Sequence, residues 1–135
     1  MDDHDVLETI AQFWRARAKG DKAAIVGFLA EGATYEMVGA HAFADPAMVG
    51  PAAIAEQAAD QLISAFKFHD LEQLAAVVDG RKAAVVNRLV VSSQGGPPAK
   101  TEVCDFWEFD DAGKVRSLRQ FVDTRLVSSM LHGAG

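Results

Sequence analysis

Residues 66–123 read FKFHDLEQLAAVVDGRKAAVVNRLVVSSQGGPPAKTEVCDFWEFDDAGKVRSLRQFVD, and this stretch decides the fold class. Four runs rich in apolar, β-branched and aromatic residues are separated by short turn sequences, of which Asp79-Gly80 is the tightest. Strands that are joined by short turns are usually neighbours in a sheet. The stretch therefore predicts an antiparallel meander of four strands, over 66–78, 82–93, 102–109 and 114–123.

The sequence before the meander has the apolar spacing of helices. Val6, Ile10, Phe13, Trp14 and Arg17 fall at helical spacing and predict an amphipathic helix over roughly residues 3–18. Gly20 and Asp21 then supply the end of one helix and the start of another. The other predicted elements are a short helix ending at Glu31-Gly32, a strand over 33–38, a loop over 39–50, a third helix from Pro51 to about residue 64 and a closing helix around 126–131.

Helices gathered on one face of a meander are typical of an α+β domain. The length of 135 residues predicts one domain over 1–135, and its ends, 1–4 and 132–135, are expected to be mobile. The run Ala83-Ala84-Val85-Val86 is apolar at successive positions, which indicates that both faces of the sheet are covered in places. Helices cover one face, and a second copy of the chain is the simplest cover for the other. A homodimer is therefore expected.

The chain is acidic, with a formal net charge of −6. Binding to nucleic acid phosphates needs a basic face, and an anionic membrane surface repels an acidic protein, so neither partner is expected. The single cysteine, Cys104, excludes an internal disulfide, and no Cys/His cluster indicates a metal site. The N-terminus is acidic where a signal peptide is basic, which predicts a cytoplasmic protein.

Several segments resemble the nuclear transport factor two-like superfamily, in its SnoaL-like and ketosteroid isomerase-like branches. They are Gly20-Asp21, the run Phe28–Glu36, the helix entry Gly50–Ile54 and the run Asp105–Val115. The resemblance covers nearly the whole chain. It implies a cone of cystatin-like topology, in which a strongly curved antiparallel sheet and about three N-terminal helices enclose a deep apolar pocket. It also implies that the dimer forms through the convex face of the sheet.

The superfamily contains isomerases, polyketide cyclases, epoxide hydrolases, dehydratases and non-enzymatic binding modules, so only the residues can choose among them. Ketosteroid isomerases use a carboxylate base together with a tyrosine and a protonated aspartic acid. Met37 stands at the position of the base and Phe13 at that of the tyrosine, and only Asp105 matches. Because neither a thioether nor a phenyl ring transfers a proton, steroid isomerisation by that mechanism is not expected.

Two other catalytic patterns of the superfamily are matched only in part. Limonene epoxide hydrolase-like members use an arginine and two aspartates, and the matching positions hold Arg88, Val90 and Gln120. Without either carboxylate, that mechanism is not expected. SnoaL-like cyclases depend on an acidic residue near the mouth or the floor of the pocket, and Asp105 is a candidate for it.

Alternation along the strands predicts which side chains enter the pocket. If Asp105 points inward, Trp107 does also, and the faces that carry Arg88 and Gln120 are read as the inner faces of the neighbouring strands. An apolar concavity with few polar groups is typical of a small-molecule site. The predicted pocket-lining residues are Phe13, Trp14, Tyr35, Met37, Phe43, Val86, Val90, Trp107, Gln120 and Val122.

Three residues are candidates for catalysis. Asp105 is the acid or base, Arg88 is its electrostatic partner, and His41 is a proton carrier at the pocket rim, because an imidazole titrates near neutral pH. The pair Arg88 and Asp105 is equally consistent with a structural ion pair between adjacent strands, since buried charges are normally paired. A lone loop histidine is more often a solvated side chain than a catalytic one.

Two functions therefore stay open. The first is an isomerase, cyclase or hydrolase that needs no cofactor and no metal and acts by acid/base chemistry on an apolar carbonyl, polyketide-like or terpenoid-like substrate. The second is a non-catalytic module that binds a small apolar ligand or serves as a dimeric accessory domain. The chain contains no GxGxxG, Walker A, GxSxG or HExxH motif that would favour another class of function.

Overall fold

Helix α1 spans Asp3–Lys19 in the computed structural model, which describes residues 2–38, 47–56, 66–93 and 95–132. The helix begins with a reciprocal capping box, in which the side chains of Asp2 and Asp5 each accept a hydrogen bond from the backbone N–H of the other residue. Gly20 ends the helix in the left-handed conformation, at φ 66°. The first predicted helix and its glycine end are confirmed.

The second helix is shorter than predicted. Helix α2 spans Lys22–Phe28, and the chain then enters strand β1, Leu29–Val38, without an intervening loop. The Glu31-Gly32 pair was expected to end the helix, and this is wrong because the pair lies within β1. Leu29 already pairs with Val115 of the last strand, so pairing in the sheet overrides the local helix signal.

Part of the predicted 39–50 loop is a short strand. Strand β2, Ala47–Val49, pairs antiparallel with β1, while residues 39–46 lie outside the described residues. Helix α3 starts at Pro51, as predicted, and spans Pro51–Glu56. Its predicted continuation to about residue 64 also lies outside the described residues.

Strands β3, β4, β5 and β6 form the predicted antiparallel meander. They span Phe66–Asp79, Lys82–Ser93, Ala99–Phe109 and Val115–Phe121. Among the described residues the sheet has six strands in the order β2-β1-β6-β5-β4-β3, and it is curled without closing. The expectation of a wholly antiparallel sheet is corrected by β1, which runs parallel to β6. The meander begins with β3 at the far edge of the sheet and ends with β6, which lies beside β1 and runs parallel to it. No local sequence pattern reveals this pairing.

Helix α4, Thr124–His132, follows the meander as predicted. Asp123 caps it by accepting a hydrogen bond from the Leu126 backbone N–H at 3.0 Å. None of the helices in the described part of the chain is long and apolar enough to cross a membrane. The mobility expected at the chain ends and the cytoplasmic location stay predictions.

The core lies between the concave face of the sheet and helix α1. Trp107 of β5 is fully buried, meets the Phe13 ring of α1 edge-on at a centroid distance of 5.1 Å, and stacks on Phe109 at 6.3 Å. Asp105 points to the same inner face, whereas Phe106 points outward. The inward direction predicted for alternate residues of β5 is confirmed.

Candidate functional site

A small apolar cavity lies between the concave face of the sheet and helix α4. It leaves about 50 Å³ for the centre of a water molecule, which is room for a few waters. Among the described residues on its wall, Arg17 is the only charged one, and Gln120 and Thr101 are polar. The rest of the wall is formed by Trp14, Met37, Leu89, Val91, Val103, Val122, Leu126, Val127 and Met130.

Four polar side chains are buried together beside this cavity, and we call them the buried polar cluster: Arg17, Tyr35, Asp105 and Gln120. Each is at most 3% exposed, and they come from α1, β1, β5 and β6. The Tyr35 hydroxyl donates a hydrogen bond to Oε1 of Gln120 at 2.7 Å, and Asp105 and Gln120 are partners across adjacent strands. Arg17 and Gln120 reach the cavity wall, whereas Tyr35 and Asp105 do not.

Arg17 is not among the predicted site residues. Its guanidinium carbon lies 5.0 Å from the centroid of the Trp14 ring and 5.9 Å from that of Tyr35. Its Nε and Nη1 are buried and have no hydrogen-bond partner in the described part of the chain. The signal that could have found it is a cation on the apolar face of an amphipathic helix, because a buried guanidinium is costly without a role.

Asp105 is the titratable member of the cluster. Burial raises its pKa from 3.8 to about 6, and the nearby charge of Arg17 limits that rise, with help from Gln120 and Trp14. Neither carboxylate oxygen has a hydrogen-bond partner of normal geometry among the described residues. A carboxyl group with such a pKa can both take up and release a proton near neutral pH.

Tyr35 supports the cluster as a hydrogen-bond donor. Burial raises the pKa of its phenol above the ordinary value, Arg17 opposes this, and the charge of Asp105 adds to it. The phenol therefore keeps its proton at neutral pH and holds the Gln120 carbonyl oxygen. That contact leaves the amide NH₂ of Gln120 as the group that can donate to a neighbour.

The structure places Arg88 on the outer face of the sheet, so the interpretation that it shares a pocket with Asp105 is wrong. The partner of Asp105 on β4 is Val85, and the Arg88 side chain is 47% exposed and lies 3.4 Å from Glu72. An Arg88–Asp105 ion pair is excluded for the same reason. Both faces of β4 are apolar over 83–86, so alternation alone cannot show which face is inside.

The other predicted site residues fall into four groups. Those on the cavity wall are Trp14, Met37, Gln120 and Val122. Those buried beside it without lining it are Phe13, Tyr35 and Trp107. Those on the outer face of β4, against expectation and for the same reason as Arg88, are Val86 and Val90. Those outside the described residues are His41 and Phe43.

A second cavity lies between α1 and strands β3 and β4 and leaves about 340 Å³ for the centre of a water molecule. Arg15, Gln73 and Asn87 are the polar and charged residues described on its wall, and none of them is an acid. Nowhere in the described ranges do three or more His, Cys, Asp or Glu side chains group as metal ligands would. The candidate for acid/base chemistry therefore lies at the first cavity.

The fold matches solved structures along nearly its whole length. A provisionally assigned isomerase from Bacillus subtilis has a TM-score of 0.86 at 16% identity, covering 98% of this chain and 97% of that chain. An LEH-like epoxide hydrolase from M. tuberculosis has a TM-score of 0.74 at 18% identity, with 97% and 92% covered. SalBIII, described as an epoxide hydrolase/cyclase-like enzyme, has a TM-score of 0.73 at 24% identity, with 92% and 95% covered. At these identities the likeness shows the fold alone.

No curated protein matches the chain in a sequence comparison. A family model described as a SnoaL-like domain matches residues 10–118, a range that contains Arg17, Tyr35 and Asp105 of the buried polar cluster. The predicted superfamily and the cystatin-like α+β topology are thereby confirmed. Because the match covers most of its length, the chain belongs to the family of SnoaL-like domains.

Proposed function

We propose that this protein is an enzyme that moves a proton on a small apolar carbonyl compound without a cofactor. The observation that carries the proposal is Asp105, the only buried carboxyl group among the described residues, whose pKa is raised to about 6 beside an apolar cavity. The structural likeness to isomerase and epoxide hydrolase/cyclase-like proteins supports chemistry of this kind on this fold.

In the proposed mechanism, ionised Asp105 takes a proton from the carbon next to the carbonyl group. The C–H electron pair forms a new C=C bond while the π pair of the C=O bond moves onto oxygen, and the charge of the resulting enolate is stabilised by the Arg17 guanidinium and the Gln120 amide. When the substrate has a C=C bond at the β,γ position, protonated Asp105 then gives the proton to the γ-carbon; the C=C bond moves to the α,β position, the C=O bond re-forms and the carboxylate is restored. Asp105 lies behind the wall that Arg17 and Gln120 form, so the Gln120 side chain has to shift for the substrate to reach the carboxyl while its NH₂ group stays beside the carbonyl oxygen.

Exchange of protons on an apolar ketone tests this proposal. We expect the wild type to accelerate exchange of the α-protons of phenylacetone with D₂O, followed by NMR. The Asp105→Asn variant should lose at least about 100-fold of that acceleration, because a general base contributes roughly 10²–10⁴-fold. Asp111→Asn is the matched control, since Asp111 is exposed in the turn after β5. Exchange at the buffer rate with wild-type protein would refute the proposed catalysis.

The second candidate function is a non-catalytic module for a small apolar ligand. It is favoured by Asp105 lying off the cavity wall, and by Met37 and Phe13 at positions where ketosteroid isomerases carry proton-transferring groups. A ligand that binds only the folded state raises the melting temperature. A melting temperature raised by phenylacetone, with no acceleration of proton exchange, would favour this function over the first.

We also propose that two copies of the chain pair through the outer face of the sheet. Val77, Phe106 and Phe121 form an outer apolar band on that face, and they are 68%, 37% and 41% exposed. Charged pairs such as Arg116–Glu108 flank the band. An apolar centre with a polar rim is the usual composition of a protein interface, which supports a dimer here.

Breaking the outer apolar band should separate the dimer. We expect the wild type to elute with twice the mass of one chain in size-exclusion chromatography with light scattering. Phe106→Asp should run as a monomer, because a carboxylate in the centre of the interface loses its hydration without gaining a partner. The control is Val49→Asp, an equally drastic change at an exposed valine of β2 that is outside the band. A monomeric wild type, or equal disruption by both variants, would contradict the proposed interface.

A further inference from the structure

The apolar cavity that the proposed function uses has on its wall a buried cation, Arg17, with hydrogen-bond donors that lack an acceptor among the described residues. Arg17 is the only charged residue described on its wall, is 3% exposed, and has no hydrogen-bond acceptor within the described chain for Nε or Nη1. A guanidinium keeps its charge at any physiological pH, so it cannot escape burial by losing a proton. Buried N–H donors without acceptors destabilise a fold, which makes a purely structural role a poor explanation.

The nearest opposite charge does not satisfy Arg17. Asp105 feels the field of the guanidinium, but neither of its oxygens accepts a hydrogen bond from it. The guanidinium carbon lies 5.0 Å from the centroid of the Trp14 ring and 5.9 Å from that of the Tyr35 ring. A ring face attracts a cation but contains no oxygen that could accept a hydrogen bond. Arg17 is therefore held in place by its neighbours, while its buried Nε and Nη1 have no acceptor among the described residues and its side chain forms part of the cavity wall.

We propose that the ligand of this cavity is an apolar carboxylate, and that its oxygens accept hydrogen bonds from the Arg17 guanidinium. This rests on the proposed function in one respect, namely that the apolar cavity is the ligand site. The guanidinium is the side chain best suited to a carboxylate, because charge-assisted hydrogen bonds are about twice as strong as neutral ones. The apolar part of the ligand would contact the wall at Leu89, Val103 and Met130.

Because the whole chain is acidic, binding of an anionic ligand depends on a local cation, and Arg17 is the cation described on the wall of this cavity. The formal net charge of −6 repels an anion at long range, so the attraction has to come from a local group. Arg15 lies two residues away on the same helix but is exposed, pairs with Glu8 at 3.1 Å and faces the second cavity. Arg15 is therefore a control for Arg17, since both lie on helix α1 but only Arg17 faces the proposed ligand.

Binding of a carboxylate should also change the protonation of Asp105. The charge of Arg17 limits the pKa of Asp105 to about 6, and a ligand carboxylate would neutralise that charge. The pKa of Asp105 then rises, so the complex takes up a proton near neutral pH. Calorimetry in two buffers with different ionisation enthalpies measures that uptake, and an arginine with a merely structural role would not produce it.

The experiment compares two probes with the same carbon skeleton, 3-phenylpropanoate and 3-phenylpropanamide, by calorimetry on the full chain. We expect the wild type to bind the carboxylate at least about tenfold more tightly than the amide. Arg17→Gln should abolish that preference, because it should weaken binding of the carboxylate far more than binding of the amide. Arg15→Gln removes the same charge from the same helix and should keep the preference.

Three outcomes would overturn the proposal. Equal affinity of the wild type for both probes would exclude a carboxylate site but leave the cavity as a site for neutral ligands. Loss of the preference in Arg15→Gln would move the anion to the second cavity. Absence of carboxylate binding would exclude the anion site, whereas proton exchange on phenylacetone still tests the proposed function separately. If Arg17→Gln does not fold, the preference of the wild type and its proton uptake decide the matter.

Discussion

Replacing Asp105 by asparagine is expected to stabilise the protein by about 3 kcal/mol at about pH 8 and to change its stability little at about pH 4. The pKa of this carboxyl is about 6 in the folded chain against an ordinary value of 3.8. The folded state therefore holds the proton more tightly than the unfolded chain does. Asparagine resembles the protonated carboxyl in shape and cannot ionise, so it escapes the cost of a buried charge.

The direction of the pH dependence follows from the raised pKa. Below 3.8 the carboxyl is protonated in both states, and its full contribution to stability is present. As the pH rises from 3.8 through about 6, the unfolded chain gives up the proton first, and the contribution is lost. The stability of the wild type relative to Asp105→Asn should therefore fall across this window and stay constant above it.

Urea unfolding of both proteins at a series of pH values, followed by circular dichroism, measures this difference. Other carboxyl groups titrate in the same range, and subtracting the variant from the wild type removes their contribution. Asp111→Asn, at an exposed position, should show no such window. A difference between wild type and Asp105→Asn that does not change with pH would contradict the raised pKa. A confirmed difference would mean that Asp105 destabilises the fold at neutral pH, as functional groups often do.

Replacing Trp107 by alanine is expected to cost about 3–5 kcal/mol of unfolding free energy. Trp107 is fully buried, and its ring joins Phe13 of helix α1 to Phe109 of the same strand. Alanine would leave a cavity where the helix rests on the sheet, and the ring contacts on both sides would be lost. Because a whole domain is stable by only about 5–15 kcal/mol, this is a large share of the total.

Urea unfolding followed by far-ultraviolet circular dichroism measures this loss without depending on tryptophan emission. Val49→Ala is the control, since Val49 is exposed on β2 and should cost little. Trp107→Phe keeps an aromatic ring against Phe13 and should lose less than the alanine variant. A loss below about 1 kcal/mol in Trp107→Ala would show that the Trp107 ring does not hold helix and sheet together.

Most of the architecture could be predicted because its signals are local. The turns at Asp79-Gly80 and Asp110–Gly113 separate the strands, and Gly20 with Asp21 separates two helices. The inward side of β5 was also predictable, since Asp105 alternates with outward residues on the same strand. Each of these features depends on residues close together in the chain, where backbone preferences and alternation act directly.

The register between strands was not predictable in the same way. On β4 both faces carry apolar residues, so only the pairing of Val85 with Asp105 shows that Arg88 points outward. On β1 the pairing of Leu29 with Val115 decides that the chain is already extended before Glu31-Gly32. These pairings join residues far apart in the chain, and no local pattern records them.

The candidate site, too, was predictable only in the parts that depend on local sequence. The sequence by itself determined the SnoaL-like fold, the inward carboxyl Asp105 and several residues of the cavity wall, because these follow from family motifs and alternation. Only the tertiary structure shows that the cation near Asp105 is Arg17 and not Arg88. The two arginines lie on different elements, and the packing of α1 into the concave sheet brings only Arg17 inside. A buried electrostatic pair forms between distant segments, and its partners are set by packing and register rather than by their neighbours in the chain.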